Sequence, residues 1–420
     1  MYFIISTLCV FLCVGCSREP EATKTPQEVS RAVFDSVITL IQKGEVSSRQ
    51  DFEQARNSIA TGLFETVSTD SLGRADSLVY GQLLFWSGRH DRARVIFEDL
   101  QPGDGEESRA ALLELITMEI EVGDKAAAEG LMADYRKLYP PGPDNQPGLY
   151  DQCESLGGHY SDKGLIEDAI RVYLDELNSL PFDRPYNSFQ LLVDLSNTCQ
   201  EAGKLDLCEE QLVRCKEGLE KGLTAYVDTV SYADSTEKAE DRNPGYYKFY
   251  IKNCNLLLDR IDLIGKPAPE LSFIHVFNAD STLTIESLRG TVAVLDFWTT
   301  WCLPCKIAFI ELKVLRDEFK DKGLEIIGVT SLQGYYSNME TGEVEREIAP
   351  EREIELTSQF IEMEELTWPC AISKKNIFYN EYTVSSVPTF VLIDREGMVR
   401  FVQAFAGQVE QKRRIIKRLL

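Results

Sequence analysis

Two cysteines three residues apart, Cys302 and Cys305, directly follow an apolar run that predicts a buried strand. Every residue of that run, 292–298, is apolar except Asp296, as expected of a central strand that is covered on both faces. Residues 306–320 then have the spacing of an amphipathic helix. Short apolar strands alternate with such helices from about Gly265 onward, and this alternation predicts an α/β sheet over residues 265–420.

The spacing of the two cysteines suits redox chemistry. At the start of a helix, residues i and i+3 lie one turn apart, within reach of a disulfide. The free N–H groups and the dipole of that helix stabilise a thiolate at the more exposed Cys302, which makes it the predicted nucleophile. Pro304 is tolerated there because first-turn N–H groups have no intrahelical partner. Cys305, one turn into the helix and more buried, would resolve the mixed disulfide.

The segment Asp-Phe-Trp-Thr-Thr-Trp-Cys-Leu-Pro-Cys-Lys, residues 296–306, resembles the active-site segment of thioredoxin. Gly-Lys-Pro-Ala-Pro-Glu at 265–270 and the pair Val387–Pro388 are similar to the membrane-tethered, extracytoplasmic branch of the thioredoxin-like superfamily. The resemblance is confined to residues 265–420. It implies a thiol–disulfide oxidoreductase without a cofactor, whose partners are client proteins with disulfides and a membrane electron donor. It also implies that the net direction is reductive.

The resemblance further implies roles for single residues. Pro388 would be in cis and would shape the substrate groove together with Trp301 and Val387. Asp296 would be the buried acid that moves protons to and from Cys305. Burial in an apolar strand disfavours the charged form of Asp296 and predicts a raised pKa, whatever the family.

Other uses of the cysteines are disfavoured. Zinc needs four donors, whereas the domain has no second Cys-x-x-Cys and His275 is its only histidine, so no metal is expected. Thr299-x-x-Cys302 is also found in peroxidases of the superfamily, but these have a proline where this chain has Leu295, and they lack a partner cysteine three residues on. Cys370 is either a third redox thiol or, as favoured here, a buried strand residue.

Residues 29–262 have apolar residues at helical spacing and a repeated pattern of glycine, a small residue five positions later and a large apolar residue nine positions later. Such a glycine closes a turn between two helices, and the small residue lets them approach. The pattern resembles degenerate tetratricopeptide repeats, which implies either a surface for a protein partner or a spacer. In the four units, the glycine, the small residue and the large residue are Gly88, Ala93 and Phe97; Gly123, Ala128 and Met132; Gly164, Ala169 and Tyr173; and Gly203, Cys208 and Leu212.

The first sixteen residues predict export. Residues 2–15 are almost all apolar, too few to span a bilayer with margin, and they end at Cys16. Val14-Gly15-Cys16 resembles a bacterial lipoprotein signal, which implies cleavage, lipidation of Cys16 and a lipid anchor in the cell envelope, facing the periplasm. An ordinary signal or an uncleaved anchor is the alternative. Residues 17–28 form a polar tether.

The predicted organisation is a signal over 1–16, a tether over 17–28, all-α helical-hairpin repeats over 29–262 and an α/β thioredoxin-like domain over 265–420. The net charge of −24 argues against nucleic acid as a partner. The predicted function is that of an extracytoplasmic thiol–disulfide oxidoreductase. The alternative is a helical-repeat binding lipoprotein whose thioredoxin-like domain is accessory.

Overall fold

The predicted fold class is confirmed: the described chain is helical up to Leu263 and α/β from Phe273 onward. The computed structural model describes residues 24–420 apart from 43–48, 70–71, 102, 104, 141–148, 181, 183–188, 231–243, 280–282, 339–340, 375–377 and 379–380. The signal over 1–16, with Cys16, and most of the tether lie outside the described residues. None of the described helices is long and apolar enough to cross a membrane.

The described residues up to Tyr139 form one compact unit. Its core is apolar and includes Leu83, Phe97 and Leu115. Its described helices are α1 (Pro26–Gln42), α2 (Arg49–Leu63), α3 (Arg74–Trp86), α4 (His90–Leu100), α5 (Glu106–Val122) and α6 (Lys125–Leu138).

The described residues from Pro140 to Leu420 form the second compact unit, which begins with five helices and continues into the sheet. This division differs from the predicted one, which placed all helices up to residue 262 in one domain. The five helices are α7 (Tyr150–Asp162), α8 (Ile166–Ser179), α9 (Phe189–Ala202), α10 (Leu205–Val230) and α11 (Pro244–Leu263).

Polar contacts explain why these helices share a unit with the sheet. The Gln200 side chain of α9 accepts a hydrogen bond from the Val402 N–H at 2.8 Å and donates one to the Val402 carbonyl at 3.2 Å. Glu201 accepts two hydrogen bonds from Arg414, at 2.8 and 3.0 Å, and one from Gln411 at 3.0 Å. Apolar periodicity does not reveal such contacts, because polar residues on a helix normally face water.

The glycines of the repeated pattern lie where the pattern predicts them. Gly88, Gly123, Gly164 and Gly203 follow α3, α5, α7 and α9, with φ between 71° and 86°, a backbone region that glycine adopts readily. The small and large residues that follow them are all buried. The helices therefore pair as antiparallel hairpins in each unit, and the resemblance to tetratricopeptide repeats stays a prediction.

Gly157 in α7 is needed for close packing, which the sequence pattern did not identify. A Cβ atom there would lie 2.2 Å from the buried Tyr173 ring. We expect Gly157→Ala to lower the free energy of unfolding by about 1–3 kcal/mol because the ring must move. Gly158→Ala is the matched control, since its Cβ meets nothing within 4 Å. The control should raise stability by up to about 1 kcal/mol in urea denaturation, and equal effects would contradict the packing.

The C-terminal part contains a six-stranded sheet in the order β1-β6-β3-β2-β7-β8 and a separate hairpin of β4 and β5. Central strand β2 is parallel to β3 and antiparallel to β7. The elements are β1 (Phe273–Phe277), β2 (Val292–Phe297), α12 (Leu303–Phe319), β3 (Leu324–Ser331), β4 (Tyr335–Asn338), β5 (Glu343–Arg346), α13 (Pro350–Met363), β6 (Cys370–Ser373), β7 (Thr389–Ile393), β8 (Val399–Ala404) and α14 (Val409–Leu419).

Strand β2 is buried along its whole length, as its sequence predicts. Leu295 and Phe297 belong to the core on one face of the sheet. Val294 and Trp298 belong to the core on the other face, which also contains residues of α12, α13 and α14. Since side chains alternate along a strand, Asp296 lies on this second face, together with the two cysteines.

Candidate active site

Cys302 and Cys305 form a disulfide at the N-terminal end of α12, with Cα atoms 5.3 Å apart. Cys302 is the N-cap residue, and its Sγ accepts a hydrogen bond from the backbone N–H of Cys305 at 3.1 Å. Pro304 lies in the first turn. A sulfur that receives an N–H at a helix N-terminus is placed where a thiolate is stabilised.

The two disulfide-bonded cysteine residues differ little in exposure. Cys302 keeps 4% of its surface and Cys305 none, so the order follows the sequence expectation although the difference is small. The neighbouring Trp301 and Leu303 are 37% and 56% exposed. The rim of the disulfide is therefore apolar, as suits contact with an apolar stretch of another polypeptide.

The Val387–Pro388 peptide bond is cis. Val387 packs against the core cluster that contains both cysteines, and Pro388 is buried. The Pro388 carbonyl accepts a hydrogen bond from the Phe405 N–H at 2.8 Å, which joins this segment to the residue after β8. The segment thus borders the dithiol region and the end of the sheet.

Asp296 is fully buried on the cysteine face of β2. Neither carboxylate oxygen has a hydrogen-bond partner among the described residues. Burial raises the pKa of Asp296 to about 8; the charge of Glu311 also raises this pKa, while the charge of Lys412 lowers it. An acid that takes up and releases a proton near neutral pH can serve in proton transfer.

The buried Lys412 and the partly buried Glu311 are residues of this region that the sequence reasoning missed. The Lys412 Nζ lies 3.1 Å from Glu311 Oε2, donates to the Gly407 carbonyl and sits 4.4 Å from the centre of the Phe390 ring. Burial lowers the pKa of Lys412. The sequence does contain an indication that Lys412 is buried. Lys412 precedes the buried Ile416 by one helical turn in α14 and therefore lies on the same face of that helix.

We expect Lys412→Met to lower the free energy of unfolding by about 3–5 kcal/mol, because the partly buried Glu311 carboxylate would lose its cation. Lys417→Met is the control on the same helix, since Lys417 is exposed. That variant should stay within about 0.5 kcal/mol of wild type. Urea denaturation at pH 7 measures the stability of both variants. Equal losses of stability would show that the ion pair between Lys412 and Glu311 does not stabilise the fold.

The other two residues considered from the sequence, His275 and Cys370, pack against neighbouring side chains or lie inside the sheet. His275 contacts the Phe277 ring, with ring centres 4.5 Å apart. Cys370 is a buried residue of β6, and burial raises the pKa of its thiol, so it stays protonated. In the described part of the chain, no three histidine, cysteine or acidic side chains are grouped as metal ligands would be.

Residues 264–402 match the AhpC/TSA family model. Curated relatives include the thiol-disulfide oxidoreductase ResA of Bacillus cereus, 31% identical over 32% of this chain and 66% of that protein. Another is the thioredoxin-like protein YneN of Bacillus subtilis, 28% identical over 32% of this chain and 68% of that protein. The matches thus span about two thirds of the relatives' length and one third of this chain.

Among solved structures, the thioredoxin domain of a thiol-disulfide oxidoreductase from Bacteroides vulgatus is 21% identical, with a TM-score of 0.29 over 37% of this chain and 98% of that one. A thiol-disulfide isomerase from Corynebacterium glutamicum is 20% identical, with a TM-score of 0.30 over 37% of this chain and 96% of that one.

The family match and the curated relatives identify the class of the C-terminal domain. It is a thioredoxin-like domain of the AhpC/TSA type, homologous to ResA-type thiol–disulfide oxidoreductases. This domain is therefore an enzyme domain of the thiol–disulfide oxidoreductase class.

Proposed function

We propose that this protein reduces disulfides of client proteins outside the cytoplasm through the Cys302–Cys305 dithiol. The observation that carries the proposal is the disulfide at the start of α12, with the Cys305 N–H on the Cys302 sulfur. The homology to ResA-type oxidoreductases gives the reaction class. Trp301, Val387 and Pro388 would form the groove that holds the client.

The proposed reaction has two exchange steps. The Cys302 thiolate attacks a client disulfide, a bond forms between Cys302 and one client sulfur, and the other client sulfur leaves as a thiolate and takes up a proton. Cys305 then gives its proton to the Asp296 carboxylate and attacks the Cys302 sulfur. The second client sulfur leaves as a thiolate, and the Cys302–Cys305 disulfide forms. Two electrons have passed from the dithiol to the client.

We propose that the rest of the chain places the enzyme domain in the cell envelope and contacts its partners. The signal ending at Cys16 supports export and a lipid anchor facing the periplasm. A dithiol that ends each cycle oxidised needs a reductant, so a membrane electron donor would reduce it again. The helical part over 29–262 would bind a protein partner or hold the enzyme domain away from the membrane.

An alkylation experiment tests the assignment of the nucleophile. In the reduced full-length protein, Cys302 should react with iodoacetamide at least about tenfold faster than Cys305 near pH 7, because a helix N-terminus lowers the pKa of the thiol it stabilises. Mass spectrometry of quenched samples gives both rates. The buried Cys370 serves as an internal reference and should stay unmodified under the same conditions. Equal rates, or a faster Cys305, would reverse the proposed roles.

A pull-down distinguishes the alternative function, a binding lipoprotein with an accessory enzyme domain. The alternative would be favoured if the full-length protein captures one partner stably and reduces no client disulfide. That capture should be unchanged when Cys302 and Cys305 are both replaced by serine. Reduction of a disulfide-bridged peptide by the wild type, absent from the double variant, supports the oxidoreductase.

A further inference from the structure

A cavity of about 470 Å³ lies where α9, α11 and the segment before Pro388 meet. Three phenylalanines contribute to its walls: Phe189 from α9, Phe249 from α11 and Phe405, which directly follows β8. Phe249 and Phe405 are 56% and 45% exposed. Phe405 also has a φ of 70°, a left-handed backbone conformation that is uncommon for an aromatic residue. Exposed aromatic side chains around a cavity indicate a binding surface.

Two polar side chains of α11 line this cavity with buried nitrogen atoms that have no hydrogen-bond acceptor among the described residues. Arg260 is 3% exposed, and its Nε and Nη2 have no hydrogen-bond acceptor among the described residues. The amide nitrogen of Asn253, two helical turns earlier, is likewise buried without an acceptor. Burial lowers the pKa of Arg260 to about 10, which leaves it charged at neutral pH. A buried cation without a counter-ion is costly, so its presence at a cavity wall indicates an anionic ligand.

The cavity borders the segment that packs beside the dithiol. Ser385 and Ser386 line it and directly precede Val387, which packs against the core cluster containing both cysteines. Phe405 lines it too and donates its N–H to the Pro388 carbonyl. The segment from Ser385 to Pro388 therefore connects the surroundings of the dithiol to the cavity.

We propose that this cavity is a client subsite that binds an Asp or Glu carboxylate next to an apolar side chain, close in sequence to the client's disulfide. The inference rests on the proposed function and adds a substrate class to it. One guanidinium and one amide match a single negative charge, whereas a phosphate carries nearly two and has three acceptor oxygens. The exposed Lys252 and Asp259, which also line the cavity, have opposite charges and offset each other.

Matched peptides test the subsite. Disulfide-bridged peptides carry either Phe-Glu or Phe-Gln, placed two to six residues from one cysteine. With the reduced full-length protein, at least one Glu peptide should be reduced about tenfold faster in kcat/KM than its Gln counterpart. General electrostatics predicts the opposite order, because the protein carries a net charge of −24 and repels the Glu peptide. A preference for Glu therefore requires a local cation.

Arg260→Met should abolish the preference for the Glu peptide. Lys252→Met is the matched control; it removes an exposed cation at the same cavity and should keep most of the preference. Asn253→Leu is a second variant and should weaken the preference, whether or not the Arg260 variant folds.

The possible outcomes separate the two proposals. If the wild type reduces Glu and Gln peptides equally at every spacing, or if Arg260→Met keeps the preference, the subsite is overturned while the proposed function stands. If no peptide is reduced, the proposed function fails. Loss of the preference in Lys252→Met but not in Arg260→Met would also overturn the subsite, since the exposed cation would then be responsible.

Discussion

Replacing Cys302 with serine is expected to lower the rate of disulfide reduction by roughly three orders of magnitude or more, as loss of a catalytic nucleophile does in other enzymes. Serine keeps the size of the side chain but not the acidity or nucleophilicity of the thiol, so the first exchange step is blocked. The measurement is the rate of reduction of a disulfide-bridged peptide by the reduced full-length protein, with dithiothreitol as electron donor.

The matched control for this variant is Cys370→Ala. Cys370 is buried in β6 and its thiol stays protonated, so the control should keep the wild-type rate within a factor of a few. A large loss in the control would make Cys370 a third redox thiol. If the Cys302 variant retained the wild-type rate, Cys302 would not be the nucleophile.

Asp296→Asn is expected to slow release of the client about 100-fold at pH 7, while the first attack by Cys302 changes much less. Asparagine preserves the shape of Asp296 but cannot accept the proton of Cys305. In the wild type the rate of release should rise with pH toward the pKa of Asp296, about 8. In the variant this dependence should disappear. Rapid-quench measurement of the mixed disulfide between pH 6 and 9 checks both points, and equal release rates would exclude the acid–base role.

The Asp296→Asn substitution should also change how the free energy of unfolding depends on pH. The pKa of Asp296 is about 8 in the folded protein, against about 3.9 for an aspartate in an unfolded chain. Between these pH values the folded state holds a proton that the unfolded chain has released, so the free energy of unfolding falls as pH rises from about 4 to about 8. Asp296→Asn removes this loss. The variant should match wild type at pH 4 and be roughly a few kcal/mol more stable at pH 8.

Denaturant titrations at several pH values test the stability prediction separately from the kinetics. A variant that is less stable than wild type at pH 8 would show that Asp296 has a polar partner in the folded protein. Together the two measurements distinguish an acid retained for proton transfer from an acid retained for structure.

The redox segment could be predicted from sequence because each of its features is local. An apolar strand, two cysteines at the start of a helix and a proline in the first turn depend on neighbouring residues alone, and the structure has them in that arrangement. The turn glycines are local in the same sense, since a positive φ follows from the end of one helix and the start of the next.

What could not be predicted depends on contacts between residues far apart in the chain. Lys412 is buried against Glu311, about 100 residues earlier, and a lysine in a helix is normally taken as exposed. Gln200 pairs with the backbone of Val402 at the edge strand of the sheet, which groups α7–α11 with the enzyme domain. Arg260 is buried, its Nε and Nη2 have no acceptor in the described part of the chain, and no spacing rule marks such a residue.

Trapping of a mixed disulfide tests the central claim most directly. The full-length Cys305→Ala variant is reduced, mixed with a disulfide-bridged peptide, quenched with acid and digested for mass spectrometry. The peptide should accumulate in a covalent bond to Cys302, at close to one peptide per protein, while wild type under the same conditions should show little adduct. Absence of the adduct, or its attachment to Cys370 or another cysteine, would contradict disulfide exchange through Cys302 and Cys305.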